Sequence, residues 1–211
     1  LWFKYWPTFN YPIYSIAETE DMTYNGHVLA KALNCKKGEE WSNRMISLLK
    51  SIPEEFILIT LDDYYLDNYV NLDDYYESLK LISENKRIGA IFYDMHTHVK
   101  INKQSNKFDF VPNPTLKHHV GKANMQMGLW RKTVLLKMLR KNESAQEFEY
   151  YGSIRAAFMK EKFLTIKSNY HHIFYYGTGW WGGIMARGHL IKERFEKYKD
   201  EELELENKEN D

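Results

Sequence analysis

The chain is poor in the features that fix a protein's class at a glance. It has one cysteine, Cys35, in 211 residues. That excludes an internal disulfide framework and any zinc site built from several cysteines, and it permits a reducing compartment. Cys35 has no histidine close by in sequence, so it reads as a small buried hydrophobe rather than a nucleophile. Neither sign of charge dominates. Lys+Arg and Asp+Glu are both 29, for a formal net charge of zero. No global positive field points to nucleic acid, and none points to an anionic membrane surface. No apolar run approaches the ~18 residues that a membrane span needs. No basic stretch followed by an apolar run marks a secretory leader. The expectation is a cytoplasmic protein with no membrane span and no nucleic-acid partner. Glycine-rich phosphate loops of the Walker and dinucleotide types are missing, and so is the Gly-x-Ser-x-Gly elbow of hydrolases.

Aromatic residues, by contrast, reach 16%, with 16 Tyr and 6 Trp. Such side chains either fill a core or present flat faces to ligands such as sugars. The length suits one domain. We take residues 1–192 as that domain and 193–211, dense in both charge signs, as a tail or linker.

The most informative stretch is Phe56-Ile57-Leu58-Ile59-Thr60-Leu61-Asp62-Asp63-Tyr64. An unbroken apolar run of this length reads as a strand buried on both faces, in a sheet covered by helices. In open α/β sheets, ligands bind beyond the carboxyl ends of the strands. Asp62 and Asp63 stand there. They fit either a solvated turn or a hard cation that also grips phosphate oxygens.

Around this stretch, strands and helices alternate. Tyr11 to Ala17 and His27 to Leu33 read as strands, with a polar loop between them. Trp41, Met45, Leu48, Leu49 and Ile52 form one helical stripe, stopped by Pro53. Tyr69 to Glu84 reads as a helix with Leu72, Tyr76, Leu79 and Ile82 inward. Ile88 to Tyr93 is a short buried strand. Residues 100–121 are the longest irregular stretch, of the kind that forms lids and binding loops. Ala123 to Trp130 reads as a strand, then Lys132 to Arg140 and Ser144 to Lys160 as helices. Phe163 to Ile166 and His172 to Tyr176 read as strands, before a glycine-rich turn. The alternation predicts α/β layering with a mostly parallel sheet.

Four constellations could carry chemistry. The first is Asp62 with Asp63. The second is the acidic helix start containing Glu147 and Glu149. A helix dipole alone accounts for acids there, and catalysis would make one of them a general base. The two lie on different faces, so at most one points into a given cleft. The third is Asp94-Met95-His96-Thr97-His98 after a strand, where His-x-His can bind a metal. The fourth is Tyr175 to Gly183, where Trp180 and Trp181 either pack in the core or stack on a sugar ring.

Read together, three stretches resemble the nucleotide-sugar glycosyltransferases of the GT-A fold, a family with viral and bacterial capsule members. Trp41-Ser42-Asn43-Arg44 followed by Phe56 to Asp63 is similar to the segment ending in that family's Asp-x-Asp-type metal motif. Gln126-Met127-Gly128-Leu129-Trp130 is similar to its donor-sugar segment. Glu147-Phe148-Glu149 with Gly152, Ser153 and Arg155 is similar to the helix start that supplies the base in inverting members. Their order and spacing agree over roughly residues 11–190.

The resemblance implies a GT-A-type, Rossmann-like central sheet flanked by helices, with a smaller acceptor-side region. It implies inverting transfer from a nucleotide-diphosphate sugar, of the UDP class, to a glycan or glycoprotein acceptor. Mn2+ or Mg2+ would be held by Asp63, with Asp62 beside it and His172, or His171 or His189, completing the shell. Arg44 and Gly128 would meet the donor, Glu149 or next Glu147 would be the base, and Trp180 and Trp181 would shape the acceptor cleft. Two other readings compete: a metal-dependent hydrolase on Asp94, His96 and His98, and a carbohydrate-binding domain without catalysis.

Overall fold

The computed structural model describes residues 2–16, 22–24, 27–32, 38–61, 64–93, 107–111, 121–167, 170–175, 185–186, 189–193, 196 and 198. For 22–24, 27–32, 185–186 and 189–190 it describes the backbone alone. Asp62, Asp63, Asp94, His96, His98, Trp180 and Trp181 lie outside the described residues, and so does the side chain of His189.

In chain order the elements are α1 (Trp2–Tyr5), β1 (Tyr14–Ser15), β2 (Met22–Tyr24), β3 (His27–Ala32), α2 (Trp41–Ser51), β4 (Phe56–Ile59), α3 (Leu72–Glu84) and β5 (Ile88–Phe92). Then come β6 (Phe108–Phe110), β7 (Gly128–Arg131), α4 (Lys132–Met138), α5 (Ala145–Glu147), a π-helical turn (Phe148–Gly152), α6 (Ser153–Ala157), β8 (Lys162–Ile166), β9 (Met185–Ala186) and β10 (His189–Leu190).

The centre is a five-stranded sheet in the order β4-β7-β5-β8-β6. The apolar strand runs form it as expected, because alternate residues go to opposite faces. Ala90, Phe92, Trp130 and Phe163 join one buried cluster with Met45, Leu48 and Leu49 of α2 and Val134, Leu135 and Met138 of α4. Ile91, Leu129 and Leu164 join the other, with Tyr75 and Ile82 of α3, Trp6 and Phe174. Both faces are covered, which is why these strands read as unbroken apolar runs.

The sheet is mixed rather than mostly parallel. Only β5 and β8 pair in parallel. The pairings β4–β7, β5–β7 and β6–β8 are antiparallel. The local β4-α3-β5 alternation does give two strands of one direction, but β7 inserts between them from the opposite direction. The result is a mixed α/β fold. A smaller sheet β1-β3-β2 and a β9–β10 pair lie outside the central sheet.

Other expectations shift locally. β2 lies within the stretch expected to be a polar loop, and β6 within the long irregular stretch. No strand forms over His172 to Tyr175. That segment instead accepts from α3's approach, with Asp67 N–H on the Tyr175 carbonyl (3.1 Å) and Asn71 N–H on the Ile173 carbonyl (3.0 Å). The inward face of α3 carries Tyr75, not Tyr76, which is 44% exposed. Tyr75 packs edge-on against Trp6 at 4.9 Å, just after α1, and also meets Phe174 and Tyr93. Among the described residues no helix is long and apolar enough to cross a membrane.

The register aligns one edge of the sheet. Ile59 at the end of β4 faces Gly128 at the start of β7, and Phe92 at the end of β5 faces Gly128 from the other side. Phe92 also stands beside Thr165 near the end of β8. From this edge the chain leaves β4 toward Asp62 and Asp63, leaves β5 toward Asp94, and enters β7 through residues 121–127.

Candidate active site

The site is built where the α5–π–α6 helical unit meets residues 121–127. Ser144 caps the unit: its Oγ accepts from the Glu147 N–H (3.2 Å), and the Glu147 carboxylate accepts from the Ser144 N–H (2.8 Å). This reciprocal box satisfies two backbone donors that a helix start leaves over. It also occupies Glu147, whose exposed carboxyl is held below its usual pKa by the Ser144 backbone and hydroxyl donors. A π turn carries an extra residue in each hydrogen-bonded loop, so it resets which side chains face inward, and such turns recur at functional sites. Phe148, Gly152, Ser153 and Ala156 are buried.

Three contacts pin the unit to the segment entering β7. The Ser153 Oγ accepts from the Ala123 N–H at 3.0 Å. Gly152 lies so close to Ala123 that a Cβ on Gly152 would stand 2.9 Å from the Ala123 Cβ. The Glu149 Oε1 accepts from the Met125 N–H at 2.9 Å. Glu149 is mostly buried, and burial raises its pKa against the opposing pull of the Met125 N–H. The two acids of one short segment therefore have opposite environments. Glu147 is a solvated cap with its pKa lowered, and Glu149 is a sheltered carboxyl with its pKa raised.

The Trp41-to-Arg44 segment is brought to the same unit. The Ser42 N–H donates to the Glu143 carbonyl (3.1 Å), and the Ser42 Oγ accepts from the Glu143 N–H (2.9 Å). Asn43 and Asn142 exchange two hydrogen bonds, with Asn142 in the left-handed region at φ 63°. The Trp41 ring lies 5.4 Å from Phe148. Glu143 grips Arg155 through two 2.7 Å bonds. Arg155 is thus a brace. Arg44 Nη1 donates to the Ile16 carbonyl at 3.0 Å, tying α2 to the β1 segment.

Gly128 opens β7, and a Cβ there would stand 2.9 Å from Phe92 Cδ1. Its role in the fold is close strand packing at the edge where the site lies. His172 is exposed, with its ring 5.5 Å from Tyr175. His171 Nε2 bonds the Asp74 carboxylate at 2.6 Å. Among the described residues, no three His, Cys, Asp or Glu side chains group so as to hold a metal ion. The described residues alone therefore do not make a metal site.

Three polar residues near this edge carried no motif. Lys122 is buried, which pushes its ammonium pKa down, and its Nζ lies 5.8 Å from the Phe163 ring centre. Asp109 is buried opposite Thr165, and its Oδ1 has no hydrogen-bond partner among the described residues. The polar residue inside Phe108-Asp109-Phe110 was the available signal, since buried carboxyls are rare. Asp74 at the start of α3 collects Lys107, Tyr170, His171 and Asn71. Its place in an ordinary acidic helix start hid it.

No family model matches the chain, and neither the curated proteins nor the solved structures give a match. The chemistry available is that of a sheltered carboxyl that takes up a proton more readily than an exposed one, at the sheet edge where ligand clefts form.

Proposed function

We propose that the chain is a glycosyltransferase of the GT-A type, moving a sugar from a nucleoside diphosphate, of the UDP class, to a hydroxyl of a glycan or glycoprotein. One observation carries this reading. Glu149 is a mostly buried carboxyl of raised pKa, held by the Met125 N–H beside the edge where β4 leads to Asp62 and Asp63. A base whose pKa is drawn toward the working pH is effective in proton transfer.

In this mechanism the acceptor oxygen attacks the anomeric carbon from the face opposite the diphosphate. The new C–O bond forms as the bond to the diphosphate oxygen breaks, so the configuration inverts. Glu149 takes the acceptor proton, and the Met125 N–H holds its carboxylate in position. The diphosphate leaves as an anion. Mn2+ or Mg2+ would neutralise that charge when bound. Asp62 and Asp63, the carboxylates that would hold it, lie outside the described residues. Trp180 and Trp181 belong to the proposal as acceptor contacts, and a cytoplasmic site of action belongs to it too.

A thermal-shift screen of nucleotide sugars, with and without Mn2+, tests donor binding, because a ligand of the folded state raises its apparent stability. The expected result is a shift for one sugar nucleotide. No shift with any donor would remove the transferase reading. Turnover unchanged in Glu149→Gln would move the base elsewhere, first to Glu147.

A further inference from the structure

The outward face of the helical unit that carries Glu149 is apolar and flanked by cations. Tyr151 is 49% exposed, Ile154 38% and Phe158 87%. Ile154 and Phe158, four apart on α6 and its C-cap, share a side, and Tyr151 precedes them in the π turn. Large apolar side chains exposed together mark an interaction surface. Phe158 also borders a groove of about 350 Å³, lined with it by Lys137, Arg140, Arg155, Met159 and Glu161. Exposed Lys141 and Lys160 adjoin the lining residues in the chain.

Two of these five cations are answered. Lys137 pairs with Glu161, and Arg155 with Glu143. Arg140 uses Nη1 to cap the Lys137 and Leu139 carbonyls at the end of α4, both at 2.9 Å. Arg140, Lys141 and Lys160 have no carboxylate partner among the described residues. A chain with zero formal net charge thus places positive charge without a carboxylate partner among the described residues beside Phe158, the most exposed of the described phenylalanines.

We propose that this face docks on an anionic lipid bilayer. Phe158 and Ile154 enter the headgroup boundary, Tyr151 lies at the interface with its hydroxyl in water, and Arg140, Lys141 and Lys160 meet lipid phosphates. An apolar face with cations beside it is the arrangement that holds a helix in the interfacial plane without spanning. Basic side chains near an anionic leaflet strengthen such binding until salt screens them. A ring that is 87% exposed has little to lose by entering that boundary and apolar burial to gain. The proposal stands apart from the transferase reading.

Co-sedimentation of the full chain tests it, with phosphatidylcholine vesicles alone and with phosphatidylserine added, at low and physiological salt. Binding should require phosphatidylserine and weaken with salt. Lys141→Glu combined with Lys160→Glu should lower vesicle affinity by about tenfold or more. Phe158→Ser should lower it by about tenfold. All three residues are exposed, so the melting temperature of each variant should match the parent and certify the fold. Absence of binding by the parent chain would overturn the proposal, as would undiminished binding in both variants. Capture of a poly-glutamate peptide without vesicle binding would assign the face to an acidic protein and overturn it too.

Discussion

Replacing Glu149 by alanine and by glutamine separates its mechanical role from its chemical one. Its Oε1 is the acceptor for the Met125 N–H at 2.9 Å, and Met125 is 5% exposed. Alanine leaves that donor buried without a partner, which costs about 1–3 kcal/mol. In a chain of this size, 1 kcal/mol moves Tm by about 2–4 °C. Glu149→Ala should therefore melt about 4–8 °C lower, for a cost of about 2 kcal/mol. Glutamine keeps a carbonyl oxygen for the Met125 N–H and removes the charge that burial penalises. Glu149→Gln should hold or raise Tm at neutral pH while lowering sugar transfer by about 10²–10⁴-fold.

The pH dependence fixes the sign. Glu149 has a pKa raised above the usual 4.5. Its contribution to stability is fully present below the usual value and is lost as pH rises through the folded-state pKa. The stability of Glu149→Gln relative to the parent should therefore grow on going from acid to neutral pH. Chemical denaturation of both proteins across that range measures it. A stability gap that does not change with pH would refute the sheltered carboxyl, and an active Gln variant would refute the base.

Four further outcomes are expected. Gly152→Val should cost about 1–3 kcal/mol by overpacking against Ala123, read as a lower denaturation midpoint with reduced transfer. The Asp74 carboxyl is pushed up by burial, but hydrogen bonds from Lys107 and His171, the Lys107 charge and Tyr170 together hold it below 3.8. Its stabilisation is thus present above pH 3.8 and lost as pH falls through the lower folded value. Asp74→Asn should flatten that part of the acid-unfolding curve and cost about 3 kcal/mol at neutral pH. Asp63→Ala should abolish any Mn2+-dependent calorimetric affinity for the nucleotide sugar, and unchanged affinity would remove Asp63 from the ion. Arg131 is buried and donates to the Ile82 and Ile88 carbonyls and to Glu55. Arg131→Met should cost about 3 kcal/mol, because two buried carbonyls lose their donor.

Local periodicity carried much of the fold. The stripe Trp41, Met45, Leu48, Leu49 and Ile52 predicts α2, and α2 runs Trp41–Ser51 before Pro53. Phe56 to Ile59 and Ile88 to Phe92 are strands because their apolar residues divide between two covered faces. Sheet direction was not legible in the same way. β4 finds its partner in β7, some seventy residues later, and nothing near Phe56 encodes that choice. Strand alternation with helices predicts parallel neighbours only when no later strand inserts between them. The rotation of α3 was hidden for a related reason. Tyr75 and Tyr76 are equal candidates by sequence, and rings distant in the chain, Trp6, Tyr93 and Phe174, meet Tyr75.

The same division between local and distant information runs through the site. Glu147 and Glu149 were visible as acids at a helix start, and their opposite faces followed from their spacing. Which one is sheltered depends on contacts that spacing does not contain. The Ser144-x-x-Glu147 pattern is a capping box in its own right, and it already assigns Glu147 a structural task. That local rule favours Glu149 as the uncommitted acid before any tertiary contact is considered. The tertiary contacts then supply what the sequence could not. Gly152 allows the π turn to lie against Ala123, Ser153 holds the Ala123 N–H, and the Met125 N–H meets Glu149. Burial raises the Glu149 pKa, and the Met125 N–H of the 121–127 segment pulls against it. Substitutions that loosen Gly152 or Ser153 should let solvent reach Glu149 and return its pKa toward 4.5, moving the acid limb of any pH–rate profile downward without touching the carboxylate itself.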